Sequence, residues 1–151
     1  MNTYYNLIQH LKTTFEEDER VGSVVTGDFE EWGRDFFSVV HINVIDSPFV
    51  SNNTSNVGFN IEVNVLDIRD VNNQDEEDRF WHNDNRQDIW NETLSILNIA
   101  RNKIVKDHLH NNITLDTANN ATRISYAFKN GLDGWVQTWT ISVPDNFTSI
   151  C

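Results

Sequence analysis

Cysteine occurs once in the 151 residues, at the last position, Cys151. A single thiol excludes an intrachain disulfide and a cysteine metal cluster, and it fits a reducing compartment. Glycine is scarce, and Gly22, Gly27 and Gly33 have neither the spacing nor the following lysine of a phosphate-binding loop. Basic residues are scarce too. Eleven Lys and Arg stand against 23 Asp and Glu, for a formal net charge of −12 and a pI near 4.6. Gripping nucleic acid depends on Lys and Arg displacing the counterions condensed on phosphates, so this balance argues against a DNA-holding role. It suits a surface past which DNA slides without sticking, or one that meets a basic protein. Long apolar runs are missing: no stretch approaches the roughly 18 to 20 residues that span a bilayer. Residues 1–15 interleave polar side chains where a signal peptide has its apolar segment. The expectation is a chain made and used without export, with no membrane partner.

What is present is core material. Hydrophobic residues make up 38%, with five Trp and nine Phe, enough for one core in a single domain over residues 1–151. Tyr4, Leu7, Ile8, Leu11 and Phe15 fall on one helical stripe, predicting a helix over about 3–18 capped by Asn2 or Thr3. Residues 23–26 read as a short strand. At 36–46 the period changes to two, with Phe36, Val40, Ile42 and Val44 on one face and Phe37, Val39, His41 and Ile45 on the other. Phe59, Ile61, Val63 and Val65 then alternate with Asn60, Glu62 and Asn64 before Leu66 and Ile68 change face, so the two strands form an antiparallel hairpin. A second helix is predicted over about 85–109, capped by Asn83 or Asn85. Its stripe is Ile89, Trp90, Thr93, Leu94, Leu97, Ala100, Arg101, Ile104, Val105 and His108. The chain closes with a second hairpin, Thr122 to Phe128 and Trp135 to Val143 around a turn at 129–134, ended by Pro144. The fold class expected is α+β: an antiparallel sheet of two hairpins and a short strand, packed against two helices.

Residues capable of chemistry are present without the arrangements that chemistry needs. Asp70, Asn72, Gln74 and Glu76 space oxygen ligands along a loop, but the calcium-loop pattern needs Gly where Asp75 stands and Glu where Trp81 stands, so a solvated acidic loop is the better reading. His82 beside Asp84 and Asp88 lacks a second positioned group, and no Ser or Thr lies in a nucleophile elbow. Cys151 lacks the setting of an activated thiol. His108 and His110 sit near a helix end, where positive charge suits the dipole. The Asn-x-Ser/Thr triplets at Asn52, Asn91, Asn112, Asn120 and Asn146 read as accidents of an Asn-rich composition. No catalytic, cofactor-binding or metal residue is expected, and no enzyme. The aromatics divide into two groups. Trp90, Trp135 and Trp139 lie on core stripes, whereas Trp32, Phe49 and Trp81 lie in polar loops, where an exposed ring anchors a partner interface.

The order of elements, from Tyr4–Phe15 through the strands at Phe36–Ile68 and the helix at Ile89–Leu109 to the hairpin ending Trp135-Val-Gln-Thr-Trp-Thr-Ile-Ser-Val-Pro144, resembles that of bacteriophage tail-terminator and neck proteins. The resemblance is one of layout over nearly the whole chain and brings no functional residues with it. It implies a structural virion protein, assembled in the bacterial host, that forms a homo-oligomeric ring, commonly six-fold. Such a ring caps the tail tube or joins it to the head, contacts tail-tube or neck proteins, and lets DNA pass through unbound. An acidic lumen is compatible with that, and the Asn-rich, Gly-poor composition suits an AT-rich phage genome. The alternative is a small acidic immunity or antitoxin-like protein that neutralises a basic toxin. The two readings differ in self-association.

Overall fold

The computed structural model describes residues 3–27, 38–48, 56–69, 85–111, 113–127 and 131–144, leaving the side chains at 107–111 and 126–127 undescribed. Helix α1 spans Thr3–Glu16 and α2 spans Arg86–Asn111. The strands are β1 (Ser23–Thr26), β2 (Val39–Asp46), β3 (Asn56–Ile68), β4 (Thr114–Ala118), β5 (Thr122–Ala127) and β6 (Leu132–Pro144). The chain is α+β, as its periodicities predict.

Leu7, Leu11 and Phe15, four residues apart, bring one stripe of α1 into the core. In α2 the buried positions are Ile89, Trp90, Thr93, Ile96, Leu97, Ala100 and Ile104. The predicted stripe omitted Ile96 and included Val105, which is 49% exposed. Helix α2 begins where expected: the Asn85 carbonyl accepts the Ile89 N–H at 2.9 Å. The Asn85 side-chain amide donates to the Ile68 carbonyl at 3.2 Å, fastening the helix start to the end of β3. Asp88 puts negative charge in the first turn, where the helix dipole favours it.

The six strands form one sheet in the order β1-β2-β3-β6-β4, with β5 also pairing β6. β2 and β3 make the predicted antiparallel hairpin, and β3 and β6 pair without a break from Asn56↔Pro144 to Ile68↔Leu132. Three features differ from expectation. β1 runs parallel to β2, so the sheet is mixed and not antiparallel throughout. A parallel pair needs a crossover of about a dozen residues or more, and residues 27–38 supply that length. The closing hairpin is also longer than predicted at both ends. Leu132, Asp133 and Gly134 belong to β6 and not to a turn, because each is paired to β3 at Ile68, Asp67 and Leu66. β4 was missed altogether. It pairs with β6 at Trp139–Ser142 while β5 pairs at Leu132–Val136, so residues 114–127 act as one edge strand interrupted at 119–121. At the interruption Asn119 N–H donates to the Thr138 carbonyl at 3.0 Å, and the Gln137 amide donates to the Asn119 carbonyl at 2.6 Å.

Alternation assigns the two faces. Val40, Ile42, Phe59, Ile61, Val63, Val65, Trp139, Ile141 and Val143 meet Leu7, Leu11, Phe15, Ile96, Leu97, Ala100 and Ile104 in the main core, so both helices lie on one side. The Phe15 ring stacks on Trp139 at 6.0 Å, and the Trp139 indole N–H donates to Gln137 Oε1 at 2.8 Å. Trp90, Trp135 and Trp139 are thus packing residues, as their positions predict. On the opposite face a second cluster gathers Val39, Leu66 and Leu132, each fully buried, with Val25, Ile68 and Ile124 against it. Gly134 sits in this row. A methyl group there would fall 1.9 Å from the Val65 carbonyl oxygen, so the close approach of β6 to β3 requires glycine.

Candidate interaction surface

The face of the sheet away from the helices changes character along the strands. Next to the apolar cluster comes a polar row, in which His41 pairs with Asn64 and Asn43 pairs with Glu62. His41 is 4% exposed and its Nε2 stands 2.5 Å from the Gly27 carbonyl. A carbonyl only accepts, so Nε2 carries the hydrogen and Nδ1 is left to accept from the Asn64 amide at 3.5 Å. The same amide donates to Glu62 Oε1 at 3.2 Å. Gly27, at φ +87°, takes the left-handed conformation that presents its carbonyl at the end of β1. Beyond this row Asn60 donates to Asp46 Oδ1 at 2.6 Å and accepts from the Thr140 hydroxyl at 2.8 Å. Ser142 donates to Asp116.

Alternation along the hairpin strands puts His41, Asn60, Glu62 and Asn64 on the face opposite the apolar row, where a partner could meet them. They do share a face. His41 and Asn64, however, are buried and bonded within the chain, so the accessible part of that band is Asn43, Asn60, Glu62, Thr138 and Thr140. The three predicted aromatic anchors, Trp32, Phe49 and Trp81, lie outside the described residues, as do the acidic stretch 70–81 and His82. The exposed aromatics that are described stand elsewhere. Tyr5 is 68% and Tyr4 40% exposed at the start of α1, with ring centroids 5.8 Å apart, and Tyr4 leans on Phe59. Tyr4 was expected in the core stripe. Its hydroxyl was the available signal, since a tyrosine at a helix end keeps its polar tip in water.

Elsewhere in the fold, two of the ion pairs have two-point geometry. At the end of α1, Arg20 forms a two-point pair with Asp18 (2.9 and 2.7 Å) and reaches Ser95 on α2 at 3.2 Å. The hydrogen bond from Arg20 holds the Asp18 carboxyl below its ordinary 3.8, against an opposing effect of burial. Where β3 ends, Arg69 donates from Nε and Nη2 to the two oxygens of fully buried Asp133, both at 2.7 Å, and from Nη2 to Ser125 at 3.2 Å. Asp67, paired directly opposite Asp133, accepts from the Ser38 hydroxyl at 2.6 Å. Through these contacts the two carboxylates fasten strand ends to one another.

Among the described residues no three His, Cys, Asp or Glu side chains gather where they could hold a metal ion. No described helix is long and apolar enough to cross a membrane. Open concavities among the described residues include one along α1 lined by Asn6, Gln9, His10, Thr13 and Ile113, and one between the start of α2 and Trp135. No protein-family model matches the chain, and no curated protein matches it.

Proposed function

We propose that the protein is a structural virion subunit that assembles into a closed ring, a phage tail terminator or head-to-tail neck component, through which DNA passes unbound. The observation that carries this reading is the unlikeness of the two sheet ends. One end is the short parallel strand β1, the other the interrupted antiparallel strand β4/β5. A ring built head to tail needs two different surfaces on each subunit, one complementary to the other. Between them the accessible polar band at Asn43, Asn60 and Glu62 can exchange water for a neighbour. The net charge of −12 is compatible with a lumen that does not hold DNA.

Native mass measurement, alone and in the presence of tail-tube or neck proteins, tests the reading. A closed homo-oligomer, with six copies as the leading expectation, supports it. A monomer both alone and in the native particle sinks it, as does salt-sensitive binding of duplex DNA at micromolar protein. A monomer that titrates a basic toxin one to one would establish the immunity-type alternative, which the same acidic charge supports.

A further inference from the structure

The concavity at the start of α2 sets two aromatic packing residues beside polar side chains. It measures about 490 Å³ and is lined by Gln87, Asp88, Trp90, Asn91, Leu94 and Trp135. Its aromatic elements are fixed in orientation: the Trp90 indole N–H donates to the Ile124 carbonyl at 3.0 Å and the Trp135 indole N–H to the Trp90 carbonyl at 2.9 Å. Both indole donors are therefore committed within the chain; Trp90 is buried, and the half-buried Trp135 ring supplies the accessible π surface. Asp88 and Asn91 are exposed at the rim, while Gln87, Leu94 and Trp135 are half-buried. The lining holds one carboxylate and two amides and no cation. Such a groove offers acceptors, a π face and an apolar wall, and its complement is a planar cation on an aliphatic stem.

The same molecule shows the chemistry once already. The guanidinium of Arg123, a residue outside the groove lining, lies 4.4 Å from the centre of the Trp90 ring. We propose that the groove is a docking site for an arginine-bearing segment of a basic partner protein, the guanidinium stacking on Trp135 and pairing with Asp88. Arginine fits better than lysine because its flat fork can meet a ring and a carboxylate together. The occupant is a basic partner protein, because the chain's net charge of −12 draws in positive charge and the groove lining itself carries a carboxylate and no cation. The proposal stands on the groove and does not depend on the ring reading.

The test follows the tryptophan indole N–H signals of the nitrogen-labelled full chain by NMR. The probe is a blocked Gly-Arg-Gly peptide, titrated at fixed ionic strength against its citrulline counterpart, which keeps the shape and loses the charge. The Trp90 and Trp135 signals, assigned with Trp90→Phe and Trp135→Phe, should move saturably with the arginine peptide. Citrulline, or Asp88→Asn, should weaken that response about five-fold or more, the scale of one charge-assisted contact. Glu19→Gln, which removes an exposed charge elsewhere on the surface, should leave it unchanged. The proposal is overturned if neither signal moves, if citrulline binds as well, or if Glu19→Gln weakens binding as much as Asp88→Asn. Signals that shift with protein concentration alone, and lose that dependence in Asp88→Asn, would also overturn it by assigning the groove to self-contact.

Discussion

Replacing Arg69 with Met removes the guanidinium that meets both oxygens of Asp133 while preserving most of the side chain's length. The pair is far from a surface ion pair of little net worth: Asp133 is fully buried, Arg69 is 13% exposed, and both bonds are 2.7 Å long. With the cation gone, a buried carboxylate has lost its charge partner, and breaking such a pair from one side typically destabilises by about 3 to 5 kcal/mol. For a chain of this length that corresponds to a fall in Tm of about 6 to 20 °C. The contact to Ser125 on β5 disappears as well, so the loss should extend across β3, β6 and β5. The double replacement Arg69→Met with Asp133→Leu removes both charges and should recover most of the deficit, since no unpaired charge remains. Urea denaturation of the wild type, Arg69→Met and the double variant, followed by circular dichroism, measures all three. A single variant within about 1 kcal/mol of wild type, or a double variant worse than the single, would refute the reasoning that the pair acts by neutralising a buried charge.

Ile61, Val63 and Leu97 are fully buried between sheet and helices, and truncating any one to Ala should destabilise by roughly 2 to 4 kcal/mol in the same assay. Gly134→Ala should be at least comparably severe for a single methyl group, because the added atom meets backbone that cannot rotate away; a change near zero would mean that β6 can shift against β3. Asp18 gives a pH-dependent term. Its carboxyl is held below 3.8 in the folded state, so its contribution is complete above that value and is lost as the pH falls through the depressed folded value. Asp18→Asn should therefore flatten part of the acid limb of a stability–pH curve and leave the slope above pH 5 unchanged.

Helices were legible because their signals are local. Leu7, Leu11 and Phe15 recur every four residues, and Asn85 precedes a long apolar stripe, so α1 and α2 end within two residues of their predicted limits. β3 was legible for the same reason at period two. β4 was not, because Thr114-Leu115-Asp116-Thr117-Ala118 has no apolar alternation and is a strand only through its pairing with β6. Lys129 to Gly134 reads as turn chemistry, yet Asp133 is held in β6 by Arg69, a partner 64 positions away that nothing in its neighbourhood announces. On the candidate surface, alternation placed His41, Asn60, Glu62 and Asn64 together. It could not reveal that the Gly27 carbonyl closes over His41, since that contact depends on the parallel return of β1. The groove beside Trp135 was invisible for a related reason: its lining comes from one helix and a strand 41 positions beyond Leu94.

The position of β6 has a consequence for how the chain reaches this structure. It is the last of the six strands in chain order, yet it lies between β3 on one side and β4/β5 on the other. Until β6 is synthesised, the thirteen-residue inner edge of β3 has no partner from the sheet, and Ile61, Val63 and Val65 lack the strand that completes their layer. Pairings of such long sequence separation form slowly, and an unpaired apolar edge is a template for aggregation in the interval. The nascent chain must therefore hold β2 and β3 in an incomplete, adhesive state, and folding becomes cooperative only when the final hairpin inserts, joining both halves of the sheet in one event.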